Sequence, residues 1–151
     1  MKPILLDTNL LVLLVLGSVD ERWIGRHKRS KNFVAADWHL LVKTIGGADL
    51  LTTPHILAET SNHLRSGGMK NPANVELMAA LVNFIGIAAE KDVTARSVAG
   101  NALFLRLGLT DTAIMSVAQS NVHLLTADLD LYLAALAKGQ ETTNFNHLRE
   151  Q

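Results

Sequence analysis

Four acidic side chains lie in apolar stretches of the sequence, where an ionised carboxylate is costly unless something pairs with it or binds it. Asp7 divides two apolar runs in ILLDTNLLVLLVLG, and Glu59 lies within HILAETSNHL. Asp111 opens DTAIMSVA, and Asp128 follows the apolar run in VHLLTAD. Most of the other acids lie in polar stretches that are typical of a solvated surface. The four are therefore the candidate chemical groups of the chain.

Carboxylates that converge cannot all remain ionised unaided, because like charges raise one another's pKa. A hard divalent cation resolves this conflict, and Mg²⁺ and Mn²⁺ both prefer oxygen ligands. Such an ion orients a water, lowers its pKa and offsets the charge of a phosphoryl transition state. It also reduces repulsion between the carboxylates and a phosphate backbone, so that even a chain without net charge can bind RNA there.

Each acid also has a purely structural interpretation. Asp111, in the first turn of a helix, can interact favourably with the positive end of the helix dipole. Asp128 can cap the helix that follows it, and Glu59 can lie on an exposed helix face. Asp7 is the hardest to explain in this way, because an acid between two apolar runs is unusual.

A parallel sheet covered by helices is the predicted framework for these acids. Apolar segments that end at Asp7, just before Pro54 and at Asp128 predict strands, and ETTNF predicts a last one. Helices are predicted between them, with Gly17 ending the first and Gly108 ending a later one. Strands that alternate with helices favour a three-layer α/β sandwich. In such sheets ligands bind at the carboxyl ends of the strands.

Composition restricts the class of protein. The chain has 151 residues, of which 48% are hydrophobic and 19% charged, and this predicts one folded domain over residues 1–151. A formal net charge of zero gives no overall attraction to nucleic acid or to a membrane surface. The absence of cysteine excludes a disulfide scaffold and a thiolate zinc site, and it fits the cytoplasm. The apolar run Leu10–Leu16 is too short to span a membrane.

A basic segment, residues 19–33, interrupts the apolar character and predicts an exposed loop. Its cations are Arg22, Arg26, Lys28, Arg29 and Lys31. Arg and Lys contacts to phosphate supply affinity that does not depend on sequence. The segment is therefore a candidate RNA-contacting flap, with a solvated loop as the alternative.

Taken together, the four acidic segments resemble the PIN-domain nucleases, a family that includes the VapC-type toxins. ILLDTNLL is similar to the family's opening motif, and TPHILAETSNHL, LGLTDTAIMSVAQ and VHLLTADLDL are similar to the next three, in the same order. The resemblance covers nearly the whole chain. It implies a PIN-like α/β sandwich and a metal-dependent endoribonuclease that cleaves single-stranded RNA, either as the toxin of a toxin–antitoxin pair or in another role.

The resemblance also assigns roles to residues. The implied ligands of one or two Mg²⁺ or Mn²⁺ ions, whose bound water would attack the phosphodiester, are Asp7, Glu59, Asp111 and Asp128. The residues implied to orient the carboxylates or the water are Thr8, Asn9 and Thr126. Asp130 is either a secondary ligand or part of the first turn of a helix. A protein antitoxin is an implied partner, and the high apolar content and low charge predict a homodimer.

Two other functions stay open. A PIN-like fold can serve as a catalytically silent scaffold that binds RNA or protein, although such a scaffold is expected to lack some of the acids. A Mg²⁺-dependent phosphoacceptor or phosphatase domain also places an acid after its first strand. The phosphatase usually has a second Asp two positions later, where this chain has Asn9. A receiver domain needs an acid before that position, and none precedes Asp7.

Overall fold

The computed structural model describes all 151 residues, which form an α/β fold around one parallel sheet. The strands are β1 (Ile4–Leu6), β2 (Leu50–Thr52), β3 (Ala89–Glu90), β4 (His123–Thr126) and β5 (Thr142–Asn144). Their order across the sheet is β3-β2-β1-β4-β5, and each pair of neighbours is parallel. The predicted class, an α/β sandwich with a central parallel sheet, is confirmed.

Eight α-helices flank the sheet. They are α1 (Thr8–Val19), α2 (Ala35–Ile45), α3 (Pro54–Arg65), α4 (Ala73–Ile87), α5 (Ala95–Ala99), α6 (Phe104–Val117), α7 (Leu129–Ala137) and α8 (Phe145–Arg149). The sequence patterns did not predict β3 or α8, each of which is too short to show a clear period. No helix has both the length and the apolar character needed to cross a membrane.

Helix α1 is apolar on all sides because the rest of the fold surrounds it. It contacts α2, α3 and α4, and its leucines at positions 10, 13 and 16 are completely buried. A helix without a polar face is expected to be buried in this way. The run of apolar residues that follows Asp7 is therefore core, and it holds the start of the helix rigidly at the end of β1.

Gly17 does not end α1, contrary to the prediction, because the helix continues to Val19. A Cβ atom at Gly17 would lie 2.1 Å from Cδ1 of Trp38. The indole Nε1 of Trp38 donates a hydrogen bond to the carbonyl oxygen of Leu14 at 3.0 Å. The glycine is thus needed for the close approach of the Trp38 ring, and not as a helix terminator.

Residues 19–33 are not a loose loop, which also differs from the prediction. The segment contains two short 3-10 helices, Glu21–Trp23 and Lys28–Ser30. His27 is fully buried, and its Nδ1 accepts a hydrogen bond from the backbone N–H of Arg29. Its Nε2 therefore carries the hydrogen and donates it to the carbonyl oxygen of Leu64 at 2.9 Å. A buried histidine in a strongly basic stretch anchors that stretch to α3.

Gly108 interrupts the helical backbone, as predicted, although the helices on either side differ from the prediction. The predicted helix over TARSVAGNALFLRLGL is divided into α5 and the first part of α6. Gly108 has a φ of 81°, a left-handed conformation that glycine adopts without steric cost. The chain changes direction there, so that Asp111 lies at the start of the second half of α6.

Candidate active site

The candidate site lies at the carboxyl edge of the sheet, between β1 and β4. These strands are neighbours in register, with Leu6 opposite Leu125. From β1 the chain continues to β2 on one side, whereas β4 lies on the other side. This is the switch point at which open parallel sheets bind ligands. Asp7 immediately follows β1, and Asp128 follows β4 after one intervening residue.

Asp7 joins the ends of the two strands. The residue is only 3% exposed. Oδ1 accepts a hydrogen bond from the backbone N–H of Leu10 at 2.9 Å and so caps α1. Oδ2 accepts from the backbone N–H of Ala127 at 2.9 Å and from the hydroxyl of Thr126. Burial raises the pKa of Asp7, and these hydrogen bonds oppose the rise without cancelling it.

Thr126 and Asp128 continue the same hydrogen-bond network. The Oγ1 atom of Thr126 accepts from the backbone N–H of Asp128 at 2.9 Å. Oδ1 of Asp128 accepts from the N–H of Leu131 at 2.9 Å, so Asp128 caps α7. Its Oδ2 atom makes no hydrogen bond within the protein. The capping interpretation is thus correct for Asp128, and it leaves one carboxylate oxygen free.

Glu59 and Asp111 approach the site from α3 and α6. The hydroxyl of Thr110 donates a hydrogen bond to Oε2 of Glu59 at 2.7 Å, which links the two helices. Burial raises the pKa of Asp111 to about 7, with further contributions from the negative charges of Asp128, Asp7 and Glu59. The charges of the other three acids thus all make ionisation of Asp111 less favourable.

The chemistry of this donor set fits a hard cation. None of the ion pairs in the structure involves any of the four acids, and their donors are all oxygen atoms, which Mg²⁺ and Mn²⁺ prefer. As they stand, no three acidic or histidine side chains are arranged closely enough to hold an ion. Several oxygens of the four carboxylates accept hydrogen bonds from the protein itself. Binding would therefore require side-chain rotation, which is open to Asp111 because neither of its oxygens is hydrogen-bonded.

The remaining predicted site residues differ in their surroundings. Thr8 is buried and its hydroxyl has no hydrogen-bond partner. Asn9 is exposed and its side chain makes no hydrogen bond. Asp130 is exposed in the first turn of α7, which agrees with its structural interpretation. Of the three residues implied to orient the site, only Thr126 makes a direct contact with one of the four acids.

A second chain of hydrogen bonds supports the site from the C-terminal helix, and the sequence did not predict it. Nδ2 of Asn146 donates to the carbonyl oxygen of Ala127 at 3.1 Å. Nη1 of Arg149 donates to Oδ1 of Asn146 at 3.0 Å, and its Nε donates to Asp37 at 3.0 Å. The N–H of the same residue, Ala127, donates to Oδ2 of Asp7. The available signal was a polar residue after the last strand, at the same edge of the sheet as the acids.

The five predicted RNA-binding cations are not equivalent. Arg22 forms an ion pair with Asp20 at 2.7 Å, and this contact lowers the pKa of Asp20 to about 2. The other cations of the segment form no ion pair, and all of them are exposed: Arg26, Lys28, Arg29 and Lys31. The available positive charge therefore lies in residues 26–31, on both sides of His27, which is bonded to Leu64 of α3.

Replacing Thr126 by Val tests the role of its hydroxyl. Valine keeps the shape of threonine but loses both the donation to Asp7 and the acceptance from Asp128. If the site has the RNA-cleaving activity that the resemblance implies, we expect cleavage to fall ~10–100-fold, the usual cost of losing a group that orients a metal ligand. Thr126→Ser keeps the hydroxyl and is expected to retain most of the activity. If the Ser and Val variants lose activity equally, the hydroxyl is not what matters.

A scan against protein-family models finds no match for this chain, and a search of curated proteins finds no relative.

Proposed function

We propose that this protein is a PIN-like, metal-dependent endoribonuclease that cleaves single-stranded RNA. The observation that carries the proposal is the position of Asp7 and Asp128 at the switch point of a parallel sheet, where their charges and that of Glu59 act on Asp111 and no cation of the protein pairs with any of the four. Such a charge arrangement is unfavourable in a purely structural site. It becomes favourable when divalent cations are bound there.

The residues proposed to hold the cation are Asp7, Glu59, Asp111 and Asp128. When bound, Mg²⁺ or Mn²⁺ supplies activation of a water and stabilisation of charge on the phosphate. Thr126 and the peptide of Ala127 hold Asp7 in a fixed orientation. The hydroxyl of Thr110 does the same for Glu59. The protein's part is thus to keep oxygen donors in place on rigid elements of the core.

The phosphoacceptor alternative has less support. An acid that accepts a phosphoryl group must present a free oxygen to the phosphorus atom. Both oxygens of Asp7 already accept hydrogen bonds from residues of the α1 and β4 ends. Asn9, which stands where a phosphatase has its second acid, is exposed. A role as metal ligand requires only that Asp7 share a lone pair with the ion, and this is compatible with its hydrogen bonds.

A protein antitoxin, a homodimer and a place in the cytoplasm are further parts of the proposal. Apolar side chains that are exposed and available to a protein partner lie on α4 and on α7. They are Val75, Val82, Ile85 and Ile87 on α4, and Leu129, Leu133 and Leu136 on α7. Leu129, Leu133 and Leu136 share one helix face because they are spaced by four and three residues.

The proposal is tested by incubating the purified protein with end-labelled single-stranded RNA and with the matching duplex, in Mg²⁺, Mn²⁺ or EDTA. We expect internal cleavage of the single strand in either metal and none in EDTA. Restoration of cleavage when excess Mn²⁺ is added back excludes a metal-independent contaminating ribonuclease. Absence of cleavage under all conditions, together with RNA binding, would favour the scaffold alternative.

A further inference from the structure

The basic segment has a fixed position relative to Glu59, because both are attached to α3. The imidazole of His27 is bonded to Leu64 in the last turn of α3. The backbone N–H of Lys28 donates to the carbonyl oxygen of Gly67 at 3.0 Å, just beyond the helix. A Cβ atom at Gly67 would lie 1.8 Å from Nε2 of His27. The two segments are therefore packed together as closely as a glycine allows.

Two exposed cations lie at this junction. The side chain of Lys28 extends over Gly68, and Nε of Arg29 lies 3.4 Å from the hydroxyl of Ser66. Neither cation is paired with an acid. Their positive charges interact favourably with the negative, carbonyl end of the α3 dipole, which accounts for the presence of cations at a helix C-terminus. Glu59, His63 and Ser66 are spaced by four and three residues and therefore share one face of α3, so the contact with Ser66 places Arg29 at the end of the face that carries Glu59.

His63 connects the cations to the acidic site. It lies one helical turn after Glu59 on the same face of α3, about 6 Å along the axis. Glu59, His63 and Ser66 follow one another along this face, and Arg29 contacts Ser66 at its end. Its Nδ1 atom is buried and has no hydrogen-bond partner. Nδ1 faces the protein interior, so the ring nitrogen available to a ligand is Nε2, which forms no hydrogen bond within the protein.

We infer that Lys28, Arg29 and His63 form a subsite for a phosphate of the RNA strand that neighbours the phosphate being cleaved. The inference rests on the proposed function and narrows the RNA-binding part of the basic segment from five cations to two. His27 is a positioning residue in this arrangement, because it fixes the segment on α3 and does not itself reach solvent. The strand would run along α3, from the acids towards the end of the helix.

The subsite is tested with the double variant Lys28→Ala/Arg29→Ala, whose sites are exposed and remote from the core. The matched control is Lys43→Ala/Lys138→Ala, which removes the same charge at exposed positions near the far ends of α2 and α7. Binding of a fluorescein-labelled oligouridylate of twelve nucleotides is measured by anisotropy in EDTA at several salt concentrations. Cleavage kinetics are measured separately in Mn²⁺.

We expect the subsite variant to bind the RNA about tenfold more weakly than the wild type in low salt. A plot of the logarithm of the binding constant against the logarithm of the salt concentration should have a slope smaller in magnitude by ~1.4, the value for two lost contacts to single-stranded nucleic acid. KM should rise by a similar factor while kcat changes less than twofold. The control should match the wild type in both measurements. His63→Ala is expected to weaken binding about threefold.

The outcomes separate the inference from the proposed function. Equal weakening in the subsite variant and in its control, or no RNA binding by the wild type in low salt, overturns the subsite. Cleavage by the wild type with an unchanged KM in the subsite variant also overturns it and leaves the nuclease proposal in place. A binding difference without any cleavage supports the subsite and removes the nuclease proposal.

Discussion

Replacing Asp7 by Asn is expected to reduce RNA cleavage about a thousandfold or more, as removal of a central catalytic group does in other enzymes. Asparagine can still accept the hydrogen bond from Leu10 and cap α1. Its amide nitrogen would then face the backbone N–H of Ala127, where two donors oppose each other. The variant thus keeps the fold but loses a charged metal ligand and changes the geometry at the end of β4. Initial rates in Mn²⁺ measure the effect.

Asp130→Asn is the matched control, because it makes the same chemical change at an exposed acid two residues after Asp128. Its activity should remain within about twofold of the wild type. Far-ultraviolet circular dichroism of both variants verifies folding. The Asp7 charge raises the pKa of Asp111, so this pKa, followed by NMR, should fall in Asp7→Asn. Equal activity of the two variants would contradict the assignment of Asp7.

The strand-end acids could be predicted because local pattern and sheet topology agree there. An apolar strand that ends in an acid places that acid at the carboxyl edge whatever the rest of the chain does. Asp7 and Asp128 follow this rule. Their capping of α1 and α7 could also be read from the sequence, since an acid immediately before an apolar helix is a typical N-cap. The capping interpretation is correct for both acids, and it leaves an oxygen without a hydrogen bond in Asp128 but not in Asp7. Their role as metal ligands stays a prediction.

Contacts between distant segments could not be predicted in the same way. Asn146 donates to the carbonyl oxygen of Ala127, the residue whose N–H donates to Asp7, and this contact depends on a helix of five residues with no readable period. Gly17 does not end α1, because it allows the approach of Trp38, and Gly67, which does follow the end of α3, also leaves the space that His27 occupies. The tertiary neighbour, which a single sequence does not reveal, decided the role of each of these residues. The basic segment was misjudged for the same reason, because its one buried histidine determines its structure.

Metal binding is expected to reverse the pH dependence of stability in the neutral range. The pKa of Asp111 is raised from 3.8 to about 7 in the folded protein without metal. The folded state therefore binds more protons than the unfolded state between these values, and the associated stability, present below pH about 4, is lost as the pH rises to about 7. Asp20 and Glu141 have lowered pKa values, so both stay ionised between pH 5 and pH 8 and do not contribute there.

His63 acts in the opposite direction, because its lowered pKa makes the unfolded state the better proton acceptor near neutral pH. The contribution of Asp111 is therefore isolated by comparison with Asp111→Asn. In EDTA, raising the pH from 5 to 8 should lower the melting temperature of the wild type relative to that of the variant. A cation at a hundred times its Kd adds ~2.7 kcal/mol, or ~5–10 °C for a chain of this size.

This increase is expected for the wild type at pH 8 and should be smaller at pH 5, because the cation must then displace the proton of Asp111. Asp111→Asn should lose most of the increase at pH 8, since it lacks one of the proposed ligands. Differential scanning fluorimetry with Mn²⁺, Mg²⁺ and EDTA at both pH values measures all of these shifts without using activity. An increase of the same size in the wild type and in Asp111→Asn would show that the cation binds elsewhere, and the four acids would then have to be explained without it.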